Sequence, residues 1–89
     1  MNLKKYCLIT FSSTSHALKA EKIMKELERE FLLMPTLREI SSSCGLSLKF
    51  RPENLNDYYQ ELLDRNVSMD GVYEVEINGR KNMVKPKTM

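Results

Sequence analysis

The chain has 89 residues, 42% of them hydrophobic and 29% charged, with 14 basic and 12 acidic side chains for a formal net charge of +2. A chain of this length folds as one domain that buries somewhat above ~60% of its unfolded surface, and its composition excludes collagen, coiled coil and wholesale disorder. The small net charge does not argue for nucleic acid, and no apolar run reaches the ~18 residues of a membrane span. Tyr6 to Phe11, broken by Thr10, turns polar without a small-residue cleavage site, so the chain reads as cytoplasmic, with no signal peptide and no membrane contact. Cys7 and Cys44 are too few for a disulfide scaffold, form no Cys-x-x-Cys pair, and with His16 alone build no structural zinc site; no metal and no cofactor is expected.

Lys5-Tyr6-Cys7-Leu8-Ile9-Thr10-Phe11, rich in aromatic and β-branched residues, reads as a first strand. Ser12-Ser13-Thr14-Ser15 supplies N-cap residues, and Ala17, Ala20, Ile23, Met24 and Leu27 then recur at helical spacing to about Arg29. Phe31 to Met34 is a second strand ended by Pro35. Residues 35–45 show neither period. Leu46, Leu48 and Phe50 alternate with Ser47, Lys49 and Arg51 as a half-buried third strand. Pro52-Glu53-Asn54 opens a second helix with a buried stripe of Leu55, Tyr58, Tyr59, Leu62 and Leu63, and Asn66 is its left-handed terminator. Asp70-Gly71 turns into a fourth strand, Val72 to Ile77. Asn78-Gly79 signals a hairpin that folds Arg80 to Val84 back as an edge strand, leaving Lys85 to Met89 as a frayed tail.

The order βαββαβ is the ferredoxin-like plan: an α+β sandwich with a four-stranded antiparallel sheet, two helices on one face, and an added C-terminal edge strand. Residues 1–77 form the domain and 78–89 a basic extension. The sheet face away from the helices is expected to be open and to offer a homodimer surface. The strand directions bring Ser12, Ser13, Thr14, Ser15 and His16 to the same end of the sheet as the loop 35–43, Cys44 and Gly45.

This convergence sets a thiol near the positive end of a helix dipole, where a cation lowers a free-thiol pKa of ~8.5 by a unit or more. Arg38 is the candidate cation and His16 a weaker one. Ser41, Ser42 and Ser43 offer hydroxyl and amide donors, and Gly45 lets a ligand approach the backbone. Such a set suits a nucleophile carrying persulfide, selenide or another soft group. Cys7, inside the first strand, reads instead as a small buried hydrophobe.

Phe11-Ser-Ser-Thr-Ser-His16, Pro35-Thr-x-Arg-Glu-Ile-Ser-Ser-Ser-Cys-Gly45 and Phe50-Arg-Pro-Glu53 resemble the small bacterial proteins described as selenium/sulfur carrier-like, over about residues 5 to 76. The resemblance implies a single-domain carrier whose Cys44 holds sulfur or selenium for a sulfur- or selenium-handling partner enzyme. The sequence shows no general acid/base pair, metal set or nucleotide loop, which favours a carrier or thiol-dependent accessory protein over a complete enzyme. The alternative is a binding module that recognises an anionic metabolite or a partner protein at the start of the first helix and the 35–45 loop. RNA-binding domains share the strand–helix order, but they stack bases on exposed aromatics of the first and third strands; here the outer face of the third carries Ser47, Lys49 and Arg51 and no aromatic, which argues against nucleic acid.

Overall fold

A computed structural model describes residues 4–42 and 44–88. They form the strands β1 (Lys5–Phe11), β2 (Leu32–Pro35), β3 (Leu46–Phe50), β4 (Met69–Asn78) and β5 (Lys81–Lys87), with helices α1 (Thr14–Glu26) and α2 (Leu55–Asp64). The sheet is a single antiparallel layer in the order β2-β3-β1-β4-β5, with five strands where four and an edge addition were expected. No helix among the described residues is long and apolar enough to cross a membrane.

Alternation along β1 decides the architecture. Cys7, Ile9 and Phe11 point to the helices and join Leu48, Phe50, Val72, Ala17, Ala20, Ile23, Met24, Leu55, Tyr58 and Leu62 in the main core. Register confirms the pairing, with Ile9 opposite both Leu48 and Val72. Tyr6, Leu8 and Val75 point the other way and form a second apolar layer. That second face was expected to be open. It is closed instead by Ile40, itself only 6% exposed, with Leu37 and Met34 beside it and Val84 of β5 at its flank. Leu37 and Ile40 are apolar anchors inside a segment that has no periodicity, so alternation and helical spacing both pass over them.

Both helices end in the same motif. In α1 the amide of Arg29 donates to Met24 O (2.9 Å) and that of Glu28 to Lys25 O (3.1 Å), with Glu28 at φ 55°. In α2 the amide of Val67 donates to Leu62 O (3.0 Å) and that of Asn66 to Leu63 O (3.1 Å), with Asn66 at φ 61°. These are paired C-terminal bonds closed by a left-handed residue. Asn66 was legible as such a terminator. Glu28 was not, and α1 accordingly stops before the expected Arg29. α2 begins with a 3₁₀ turn, Pro52–Asn54, and its buried stripe is narrower than expected: Tyr59 is half-buried and Leu63 is 49% exposed, in the helix's last turn.

Two other boundaries move. Asp70-Gly71 is not a turn but part of β4, where the register against β1 shifts between Thr10 and Phe11 and Asp70 becomes the extra residue of a bulge. Lys85 to Lys87 is not frayed: Lys85, Pro86 and Lys87 lie opposite Glu74, Tyr73 and Val72. An edge strand tolerates Pro86, and the Lys87 ammonium meets the Glu74 carboxylate at 3.0 Å. The connecting turn is Gly79-Arg80, one residue later than the Asn78-Gly79 signal, with Gly79 at φ 66° as a turn of this kind requires.

Candidate functional site

The start of β3 does lie at the end of β1, since Ser47 is opposite Thr10. Cys44 extends the alternation of β3 by one step backwards, so that Cys44, Leu46, Leu48 and Phe50 all face the helices. Its side chain is 1% exposed and belongs to the main core. The thiol donates to the carbonyl of Leu46 at 3.4 Å, the amide of Cys44 donates to Ser42 Oγ at 3.2 Å, and its carbonyl accepts from Thr36 Oγ1 at 3.0 Å. The expectation of an open thiol therefore meets a closed one. The signal that was present, the parity of residue 44 with Leu46, was outweighed by the polar look of the preceding serines.

The other expected site residues divide into two groups. Ser13 caps α1, its Oγ accepting from the His16 amide at 3.4 Å, as the local sequence requires. The amide of Ser68 donates to His16 Nδ1 at 3.1 Å, and the amide of Ser12 donates to Ser68 O, also at 3.1 Å. An accepting Nδ1 leaves the ring proton on Nε2, so His16 in this arrangement is a neutral acceptor rather than a cation for a thiolate. Thr14 and Ser15 are exposed. The start of α1 is thus fastened to the segment before β4, a partner that the sequence did not point to.

On the loop, Ser42 bonds Cys44 as described, Ser41 and Gly45 are exposed, and Ser43 lies outside the described residues. Arg38 is exposed, with no hydrogen bond or ion pair to a carboxylate or thiol among the described residues. Its neighbour Glu39 acts on Tyr6, whose phenol is raised by burial first and by the Glu39 charge second. No group of three metal-ligating side chains and no cavity occurs among the described residues.

Two residues that the sequence did not single out hold the loop. The Thr36 amide donates to Gly45 O at 3.0 Å, and Thr36 Oγ1 lies 2.8 Å from Ser47 Oγ while donating to Cys44 O. Ser47 is fully buried, and these contacts satisfy it. Thr36 stands in the Pro35-to-Gly45 pattern with no role assigned to it, and Ser47, expected on the outer face of the third strand, is buried; only the fold brings them together.

The second thiol gives the contrast. Cys7 is fully buried in the central strand, and burial, followed by the charge of Glu74 directly across the ladder, pushes its pKa up to about 11. That is the setting of an inert thiol.

A family model described as "Putative Se/S carrier protein-like" matches residues 6–74. No curated protein and no solved structure matches the chain.

Proposed function

The chain belongs to the Se/S carrier-like family, and from that premise we propose that it is a thiol carrier in which Cys44 accepts a sulfane sulfur, or its selenium counterpart, from one partner protein and yields it to another. One observation carries the choice of residue. Of the two thiols, only Cys44 lies in a loop, held by hydrogen bonds to Ser42, Thr36 and Leu46, whereas Cys7 is locked in the central strand. A loop can open without unfolding the sheet, and a central strand cannot.

In the loading step the Cys44 thiolate attacks the terminal sulfur of a persulfide on the donor. A new S–S bond forms, the donor's S–S bond breaks, and its electron pair leaves on the donor sulfur as a thiolate. No net oxidant is consumed. Ser12 to His16, Arg38, Ser41, Ser42 and Gly45 would form the surroundings in which the donor docks. The strand order β2-β3-β1-β4, with both helices against one face, supports a ferredoxin-like reading of the body, to which β5 is an addition.

Incubation with a low-molecular-weight persulfide, followed by intact mass and peptide mapping, tests the proposal. The expected result is the mass of one added sulfur on Cys44, absent from Cys44→Ser and unchanged in Cys7→Ser. Equal loading of Cys44→Ser and the parent chain would sink it.

A further inference from the structure

Thr36 Oγ1 has one proton. It is donated to Cys44 O, so the 2.8 Å contact with Ser47 must be one in which Thr36 accepts from the Ser47 hydroxyl. With its amide on Gly45 O, this single residue at the end of β2 ties the start of the loop to its end and to buried β3. Between these ties the chain does two things at once: it lays Leu37 and Ile40 on the sheet face away from the helices, and it presents Cys44 to the face under them. Compact loops of this kind, closed at the neck and packed by their own side chains, open as units.

We propose that Thr36 is a clasp that controls access to Cys44, so that the thiol reacts only when the 36–45 loop lifts from the neck; the purpose of this device, though not the device itself, rests on the carrier reading. Thr36 is a positioning residue, acting on the thiol through the Cys44 carbonyl. Lifting the loop breaks its bonds at the neck and bares Tyr6 and Leu8 while leaving β1, β3 and the helices paired. Access to Cys44 is then far cheaper than access to Cys7, which requires the central strand to open.

Iodoacetamide labelling of the native full chain, resolved by peptide, reads both thiols in one sample. In the parent chain Cys44 labels faster than Cys7. Thr36→Val keeps the shape and the amide bond but removes the hydroxyl, and two lost hydrogen bonds raise the Cys44 rate roughly five- to thirtyfold. Cys7, exposed only when the sheet opens, gains at most the same factor and stays slower than Cys44, and Thr36→Ser, which retains the hydroxyl, behaves as the parent. A Cys44 rate that Thr36→Val leaves unchanged, or Cys7 labelling as fast as Cys44, overturns the clasp.

Should Thr36→Val fail to fold, the urea dependence of the parent chain decides. A shallower slope for Cys44 than for Cys7 supports local opening, and identical slopes overturn it. Because the probe is an alkylating reagent, failure of persulfide loading leaves this result standing, and the two ideas fail separately.

Discussion

Both faces of the sheet carry buried apolar residues, but they are covered by different means. On the helix side, Ile9, Phe11, Leu48 and Phe50 lie under two amphipathic helices whose backbone bonds are internal and whose C-terminal ends are closed by left-handed residues. On the other side, Tyr6, Leu8 and Val75 lie under an irregular loop that touches down through Leu37 and Ile40. The aliphatic stem and ammonium of Lys49 complete that cover, with Nζ 4.3 Å from the Tyr6 ring centroid. A helix covers a face with a stripe of contacts that are lost only together. A loop covers it with two anchors and a neck, which can be lost without the rest. The helix side therefore carries the global stability, and the other side carries the local opening.

The largest expected effect breaks this comparison on the helix side. Phe50 is fully buried, and its ring meets that of Tyr58 at 5.0 Å between centroids. Phe50→Ala should cost about 3–5 kcal/mol, most of the stability of a domain this size. Ile40→Ala, by contrast, should cost about 2 kcal/mol or less, because the exposed loop around it can settle into the space. Urea melts give both values, and amide exchange separates them. Phe50→Ala should speed exchange of the slowest sheet amides by its full cost, whereas Ile40→Ala should speed them only by its smaller global cost. Equal global losses would mean that the loop is as structural as the helices.

How far each face was legible in the sequence follows from the same difference. The helix side announces itself: Ala17, Ala20, Ile23 and Met24 at helical spacing and Leu46, Leu48 and Phe50 at strand spacing are all found where their periods put them. The loop side does not, because two anchors in an aperiodic segment make no pattern. The expected open face was therefore an error of omission. Cys44 falls between the two. It obeys the strand alternation of β3 but follows a serine run, and composition pointed to solvent where parity pointed inward. Chain direction correctly put the end of β1 beside the start of β3. It could not say that His16 would be taken by Ser68, a contact between residues 52 positions apart. Glu28 escaped notice for another reason: glycine or asparagine is the usual signal for a left-handed terminator, and glutamate is not.

A smaller effect sharpens the comparison within the helix side. Cys7 has an ordinary pKa of 9.0 that burial, and then Glu74, push up to about 11. For a thiol raised in the folded state, the stabilisation is fully present below the unfolded value and is lost as pH rises through the folded one. Between pH 9 and 11 the unfolded chain releases this proton while the folded chain keeps it, so stability falls across that window. Thermal melts from pH 8 to 11 should show the decline, and Cys7→Ala should flatten it at some cost in baseline stability. The phenols of Tyr6 and Tyr58, also raised by burial, leave a residual slope at the upper end. A Cys7→Ala profile parallel to that of the parent would show that Cys7 is not the titrating group.

The smallest effect lies at the β5 edge, where charges take over from apolar cover. Glu74 is opposite Cys7 in the ladder, with its carboxylate 3.1 Å from Lys5 Nζ and 3.0 Å from Lys87 Nζ. Hydrogen bonds from Lys87 first and Lys5 second lower its pKa. A carboxylate lowered in the folded state stabilises above its unfolded pKa and loses that contribution as pH falls through the folded value. The hold on β5 should thus weaken in acid, below an ordinary 4.5. Both ammonium groups are more than a third exposed, so Glu74→Gln should cost no more than about 1 kcal/mol overall. Its signature is positional: the amides of β5 should exchange faster at neutral pH, approaching the parent's behaviour in acid, while those of β1 and β3 stay protected. The family match ends at residue 74, and β5 lies wholly beyond it. β5 is held by its ladder with β4, by Val84 against the second apolar layer and, at its end, by the Lys87–Glu74 pair, so loosening that end alone should leave the Cys44 loop in place. Unchanged Cys44 labelling in Glu74→Gln would establish that independence, and faster labelling would tie the extension to the thiol.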